Sequence, residues 1–226
     1  MNSKHKIFIS FHHNNENDKD GGLYRNAFES LIGDEITGIE TNAIHEGDIN
    51  PDLPEAEIKD RICNNFIKDT HVTVVLIGPA TFCRKYIDWE ISASLRTRPD
   101  GYPSGLLGII LPEHPEYLKE KVDPATIPAR LTDNLTTGFA TLCHWTLSVH
   151  RMVRLIQEAA HKRKRYHFDD SRSLLNFDLD PRSRIHYKEK KYVSLSSYQK
   201  INYSLKNLLC ITRKISISIE NSSISR

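Results

Sequence analysis

Apolar residues along this chain fall into short continuous runs, separated by segments where they recur every three or four positions. The runs are KIFIS (6–10), TGIETNAI (37–44), HVTVVLIG (71–78), GLLGIIL (105–111) and FATLCHW (139–145). HVTVVLIG is β-branched and apolar almost throughout, the pattern of a parallel strand covered on both faces; TGIETNAI is the weakest of the five. Between them the period changes to that of a helix. LYRNAFESLIG (23–33) ends at Gly33, a common helix terminator. LPEAEIKDRICNNFI (53–67) has Pro54 near its start, acids in its first turn and Ile58, Ile62 and Phe66 at four-residue spacing. A third helix is predicted over about 84–96. A fourth, over 148–165, presents Val149, Met152, Val153, Ile156 and Ala160 on one face, and its basic end suits the negative pole of the helix dipole. The proline-rich stretch between 111 and 139 reads as irregular.

Strand and helix thus alternate, which predicts an α/β fold: a flavodoxin-like, doubly wound domain with a five-stranded, mostly parallel sheet in the order 2-1-3-4-5. Such sheets bind ligands outside the carboxyl ends of their strands, near the switch point. The segments to inspect are therefore Ser10–Asn14, His45–Asp48, Gly78–Glu90, Leu111–His114 and His144–Trp145. There is no GxGxxG and no GxxxxGK[ST], so neither a dinucleotide fingerprint nor a phosphate loop is present. SFHHNN and CHWT lack the paired acids and the lysine that a phosphoacceptor receiver of this topology would need.

Composition narrows the class without naming a function. The 226 residues are 38% hydrophobic and 27% charged with a net charge of +2, so the whole molecule makes no electrostatic case for nucleic acid or a membrane surface. No apolar stretch approaches the roughly 20 residues of a spanning helix, and the start reads as no signal peptide. Cys63, Cys83, Cys143 and Cys210 lack CxxC spacing, the expectation being free thiols in a reducing cytoplasm and no metal site. The end of the chain differs in kind. Residues 191–226 contain nine serines, no proline or glycine, and six Lys/Arg against one Glu. The expected organisation is a domain over 1–165 and a C-terminal extension over 166–226, either weakly ordered or an edge hairpin, to which no function is assigned.

The most informative stretch is CRKYIDWEISASL, Cys83–Leu95. On a helix Tyr86, Glu90 and Ser94 share a stripe, with Ile87, Ile91 and Leu95 beside it on the core side. Glu90 then sits at the border of the packed face, where an ionised carboxylate is costly unless it is paired or opens on a cleft. The plain reading is an ion pair with Arg84, Lys85 or a neighbouring loop; the functional one is a carboxylate held for chemistry.

This segment resembles the third helix of TIR domains, where a W-C-x-x-E motif ends in the glutamate with which TIR enzymes cleave NAD. Aligning the glutamates puts Tyr86 and Ile87 at the tryptophan and cysteine positions, so the motif is partly kept. The closer likeness is to the TIR-like family of Thoeris ThsB anti-phage proteins, carried by FISFHH (Phe8–His13), LIG (Leu76–Gly78), Thr81, RKYIDWEI, SL and GLLGIIL. It covers about residues 4–160.

The resemblance implies an NAD-consuming enzyme of anti-phage defence, an NAD nucleosidase or ADP-ribosyl cyclase in type. NAD is its substrate and no separate cofactor is needed. Glu90 becomes the catalytic candidate. Phe11 and His12, after the first strand, would contact the nucleotide; the plain alternatives are a packing role for Phe11 and a solvated loop histidine for His12. Asp48 lies where TIR enzymes carry a mobile loop. Arg84 would pair with a diphosphate, or with Asp88 one turn on. Trp89 faces another subunit or solvent on this reading, while His144 and Trp145 read best as core. The implied partners are further copies of the chain, a phage-derived trigger, and an effector reached through a diffusible nucleotide. No nucleic acid or membrane partner is implied, and the location is cytoplasmic. The alternative is a TIR-like interaction or assembly module without turnover, for which the departures at Tyr86 and Ile87 leave room.

Overall fold

The computed structural model describes residues 5–12, 21–33, 38–45, 47–180 and 193–194. Five strands, β1 (Lys6–Ser10), β2 (Glu40–Ala43), β3 (Val72–Ile77), β4 (Gly105–Ile110) and β5 (Thr141–His144), form one sheet in the order β2-β1-β3-β4-β5. Every pairing is parallel, with Ile9 opposite both Ala43 and Val74, Leu76 opposite Ile109, and Ile109 opposite Cys143. The flavodoxin-like α/β expectation therefore holds, and the switch point lies between β1 and β3. No described helix is long and apolar enough to cross a membrane.

The two-residue period of the strands sorts the core into two faces. Ile7, Ile9, Val72, Val74, Leu76, Leu107 and Ile109 pack on α1 (Gly21–Ile32) and on the helix Val149–Lys162. On the other face Phe8 meets Ile58, Ile62, Ile67 and Trp89, while Val75, Ile77 and Ile110 meet Ile87, Ile91 and Leu95. Those helical residues come from α2 (Glu55–Arg61), the π-helical turn that continues it (Ile62–Ile67) and α3 (Lys85–Leu95). All six residues of β3 and all six of β4 are buried, as strands between two helical layers must be.

Three departures from the sequence reading have local causes. The helix expected over 53–67 runs as α2 to Arg61 and widens into a π-turn, Ile62–Ile67. Each π-turn adds a residue per turn, so Ile67 rather than Phe66 follows Ile58 and Ile62 into the core. The stretch expected to be irregular contains α4 (Ala129–Thr136), entered from Pro128. It escaped notice because most of its buried residues, Arg130, Thr132 and Asn134, are polar and interrupt any apolar period. The last helix, α5 (Val149–Lys162), is capped by the Ser148 hydroxyl, which accepts from the Arg151 N–H. Its buried face is Met152, Leu155, Ile156, Ala159 and Ala160; Val149 and Val153 are half-buried at the margin.

After α5 the chain turns back and lies over α3 and α4 as a strap, residues 166–180. Phe168 stacks edge-on against Phe139, with ring centroids 6.0 Å apart. Asn134 bonds Asp169 through both ends of its amide. Of the serine-rich end only Val193–Ser194 is described, pairing antiparallel with Lys121–Val122. The remainder of that expectation, like His13, lies outside the described residues.

Gly105 marks the closest approach between β4 and α5. A Cβ there would stand 2.2 Å from the Ala159 carbonyl oxygen and 2.6 Å from its carbon, a backbone obstacle that no rotamer change relieves. Gly105→Ala is expected to cost about 3 kcal/mol, the upper end of the overpacking range. It should appear in urea melts as a lower midpoint at unchanged slope.

Candidate active site

The carboxyl edge of the sheet at the switch point opens into a cavity of about 410 Å³. Ile9, Phe11 and His12 from the end of β1 form one wall, and Ile44, His45 and Gly47 after β2 another. Ile58 and Ile62 line its floor, and Arg84, Tyr86, Ile87 and Glu90 reach it from α3 and the turn before it; Asp178 of the strap closes the list of charged groups. A smaller cavity of about 220 Å³ lies at the opposite end, lined by Lys6, Thr41, Asn42 and Asp69. That is the amino edge of the strands, where open α/β sheets do not bind their ligands.

The turn into α3 is built by Thr81. Its hydroxyl accepts the Gly78 N–H at 2.9 Å and reaches back to the Leu76 carbonyl, folding Thr81–Cys83 into a single 3₁₀ turn. Arg84 is extended, and the helix begins at Lys85. The stripe read from the sequence then runs from outside to inside. Tyr86 is 38% exposed at the cavity rim, Glu90 faces the cavity, and Ser94 is fully buried, its hydroxyl 2.7 Å from that of Thr73.

Glu90 is more deeply placed than the border position expected. It is 7% exposed, and Oε2 is buried with no hydrogen-bond partner among the described residues. Neither cation weighed for it is engaged there: Arg84 pairs with Asp178 and Lys85 with Glu55. The one polar neighbour that favours its charged form is Ser10, which the strand period places on the same face of β1 as Phe8. Ser10 Oγ closes no hydrogen bond either. Burial, offset only in part by the Ser10 hydroxyl, pushes the Glu90 carboxyl up from 4.5 to about 8. A buried, unpaired acid opening on a cavity at a switch point is the arrangement expected of a functional carboxylate rather than a packing one.

Of the other expected site residues, Phe11, His12 and Arg84 line the same cavity as Glu90. Phe11 is buried and carries the Arg25 guanidinium 5.6 Å over its ring, so it packs as well as lines. Asp48 is exposed beside the cavity, and its carboxylate accepts the His45 N–H at 2.7 Å, shaping the loop after β2. His144 and Trp145 are buried at the far side of the carboxyl edge. Burial pushes the His144 imidazole down to about 4. The Cys83 thiol is buried, donates to the Ala80 carbonyl and is pushed upward by burial, so it is no nucleophile.

Two readings of RKYIDWEI are corrected. Trp89 faces neither solvent nor another subunit; it is 2% exposed, packs in the cluster with Phe8 and Ile62, and donates its indole N–H to the Leu175 carbonyl at 2.7 Å. Asp88 is not the partner of Arg84. It receives the buried Arg130 guanidinium at 2.9 Å and 3.3 Å and the Leu175 N–H at 3.0 Å. Sequence spacing could not find Arg130, which lies 42 residues away on α4. Three consecutive residues therefore divide two duties: Asp88 and Trp89 clamp the strap, and Glu90 faces the cavity.

Residues 8–116 match the family described as Thoeris protein ThsB, TIR-like domain. The matched stretch includes the expected site residues Phe11, His12, Asp48, Arg84 and Glu90, and ends before α4, α5 and the strap. Comparison with curated proteins finds no match.

Proposed function

Since residues 8–116 match the TIR-like domain of the Thoeris ThsB anti-phage defence family, we propose that the protein is an NAD-consuming enzyme that cleaves the nicotinamide–ribose bond and produces an ADP-ribose-derived, cyclic signal for a separate effector. The observation that carries this reading is the Glu90 carboxyl, buried, without an ion-pair partner among the described residues and facing the switch-point cavity.

The chemistry suits a single carboxylate. When the C1′–N bond breaks, its electron pair leaves with nicotinamide, which departs neutral and needs no general acid. Positive charge develops on the ribose, and a carboxylate fixed beside it in a water-poor site stabilises that charge without reorganising. The attacking water, or a nucleophilic group of the same molecule, forms the new bond to C1′ and gives up its proton, for which Glu90 is the available base. Capture by water yields ADP-ribose; internal capture yields a cyclic isomer. Phe11 and His12 would hold the nucleotide, Arg84 its diphosphate, and the loop around Asp48 would cover it. Self-association and a phage-derived trigger belong to the same proposal.

The test is nicotinamide release from NAD by the purified protein, with and without lysate of phage-infected cells, and mass spectrometry of the ribosyl product. Release with a product isomeric to cyclic ADP-ribose supports the full reading, and linear ADP-ribose supports hydrolysis alone. No release under any condition leaves a TIR-like assembly module. The pH profile is a second check. The working form is the carboxylate and the free acid's pKa stands at about 8, so kcat/KM is expected to rise tenfold per pH unit below about 8 and level off above it. The cationic nicotinamide ring stabilises the carboxylate once bound, so the kcat profile should level off at lower pH than kcat/KM.

A further inference from the structure

The strap does more than cover α3. Its inner part is anchored in the core by Arg130, which is 1% exposed and reaches Asp88, Asp170 and the Ser173 carbonyl, and by the Trp89–Leu175 bond. Its outer part is held at the cavity mouth by different means. Asp178 Oδ2 accepts from Arg84 Nη1 at 2.9 Å, and Oδ1 accepts the Lys85 N–H at 2.8 Å. The Leu179 N–H bonds the Cys83 carbonyl at 2.8 Å. Lys85 is the first residue of an eleven-residue helix, so its N–H points from the positive pole of the helix dipole.

A guanidinium converging with a free helix N–H is the donor set that recognises phosphate. Here it grips a carboxylate of the protein itself, inside a cavity that also holds the unpartnered Glu90 carboxyl. The side chains of Arg84 and Asp178 are 29% and 43% exposed, so this contact is solvent-screened and separable, unlike the buried Arg130 anchor.

We infer that Asp178 is an internal anion lodged in the phosphate-binding corner of the cavity, making the outer strap an autoinhibitory latch that a phosphate-bearing ligand must displace. The occupied corner stands on these contacts alone; its role as a brake on turnover rests on the proposed NAD chemistry. Removing the carboxylate frees Arg84 and the Lys85 N–H together, while the anchor at Arg130 keeps the inner strap in place.

Inorganic pyrophosphate is the probe, titrated calorimetrically at low salt into the full chain. Asp178→Ala is expected to bind it at least tenfold more tightly than the wild type, and Asp178→Ala/Arg84→Ala to lose that gain. The latch is refuted if Asp178→Ala binds no more tightly, or if the gain persists without Arg84. Thermal melts of the variants establish that each is folded, as expected for an exposed pair. If NAD is cleaved, Asp178→Ala should lower KM with kcat little changed, and an unchanged KM refutes the brake. Pyrophosphate binding needs no turnover, so a chain that shows the gain yet never cleaves NAD loses the proposed reaction and keeps the latch.

Discussion

Glu90→Gln is expected to abolish nicotinamide release while making the protein more stable. The amide has nearly the shape of the carboxyl group but carries no charge for the ribose cation and accepts no proton. Loss of one preorganised electrostatic group costs on the order of 10²–10³ in rate, and loss of the base adds to it. Stability moves the other way because Glu90 ionises at an energetic cost in the fold. Its pKa is about 8 folded against 4.5 unfolded, so the folded chain binds the proton more tightly. Stability is then fully present below about pH 4.5, declines as pH rises, and stops declining above about 8. Over that window the loss is on the order of 5 kcal/mol. Gln carries no such penalty. Denaturant melts of the two proteins should nearly coincide at pH 4.5 and diverge progressively to pH 8, with the variant the more stable. A variant less stable than the wild type at pH 8 would mean that Glu90 holds the fold together, and the catalytic assignment would fall with it. An active site that sacrifices stability for a poised charge is a familiar compromise.

The second large effect concerns the clamp. Arg130→Ala is expected to lower stability by about 3–5 kcal/mol, since it leaves the Asp88 carboxylate buried without its guanidinium and leaves a cavity behind. Against a usual total of about 5–15 kcal/mol that is a large fraction, and part of the population should unfold. Asp88 is 5% exposed and keeps only the Leu175 N–H, while Asp170 and the Ser173 carbonyl lose their donor. The paired change Asp88→Asn/Arg130→Met should cost less than Arg130→Ala alone, because no buried charge is left without a partner; Asp170 is partly exposed and can be solvated. Protease sensitivity between 166 and 180 should rise in Arg130→Ala and fall back in the pair. Equal losses for the single and paired changes would show that Arg130 contributes only by its volume.

Much of this was legible in the chain. Five apolar runs at the right intervals pointed to an α/β sheet, because strands buried between two layers of helices are built mainly of apolar residues. The order of elements then located the ligand-binding edge. Phe11, His12, Arg84 and Glu90 were all drawn from segments that follow strands, and the cavity lies where those segments converge. The family likeness rested on residues local to β1, β3 and α3, where position along the chain and position in space nearly coincide.

What the chain alone could not reveal were relationships across long separations. Arg130 and Asp88 are 42 residues apart, and Arg84 and Asp178 are 94. No period links them, so Trp89 read as facing solvent or another subunit, and Asp88 as the alternative to a diphosphate as partner of Arg84. The polar face of α4 hid that helix for the same reason: its side chains are satisfied by the strap rather than by a hydrophobic layer. The sequence by itself therefore determined the sheet, its order and the acid at its edge, all of which follow from apolar periodicity and nearest-neighbour connection. Tertiary structure alone decided that the acid is buried without a counter-ion among the described residues and that its pKa is raised. It alone decided that a strap from the end of the domain supplies the partners of Asp88, Trp89 and Arg84. Both are consequences of desolvation and charge pairing, which depend on what surrounds a group in space and not on its neighbours along the chain.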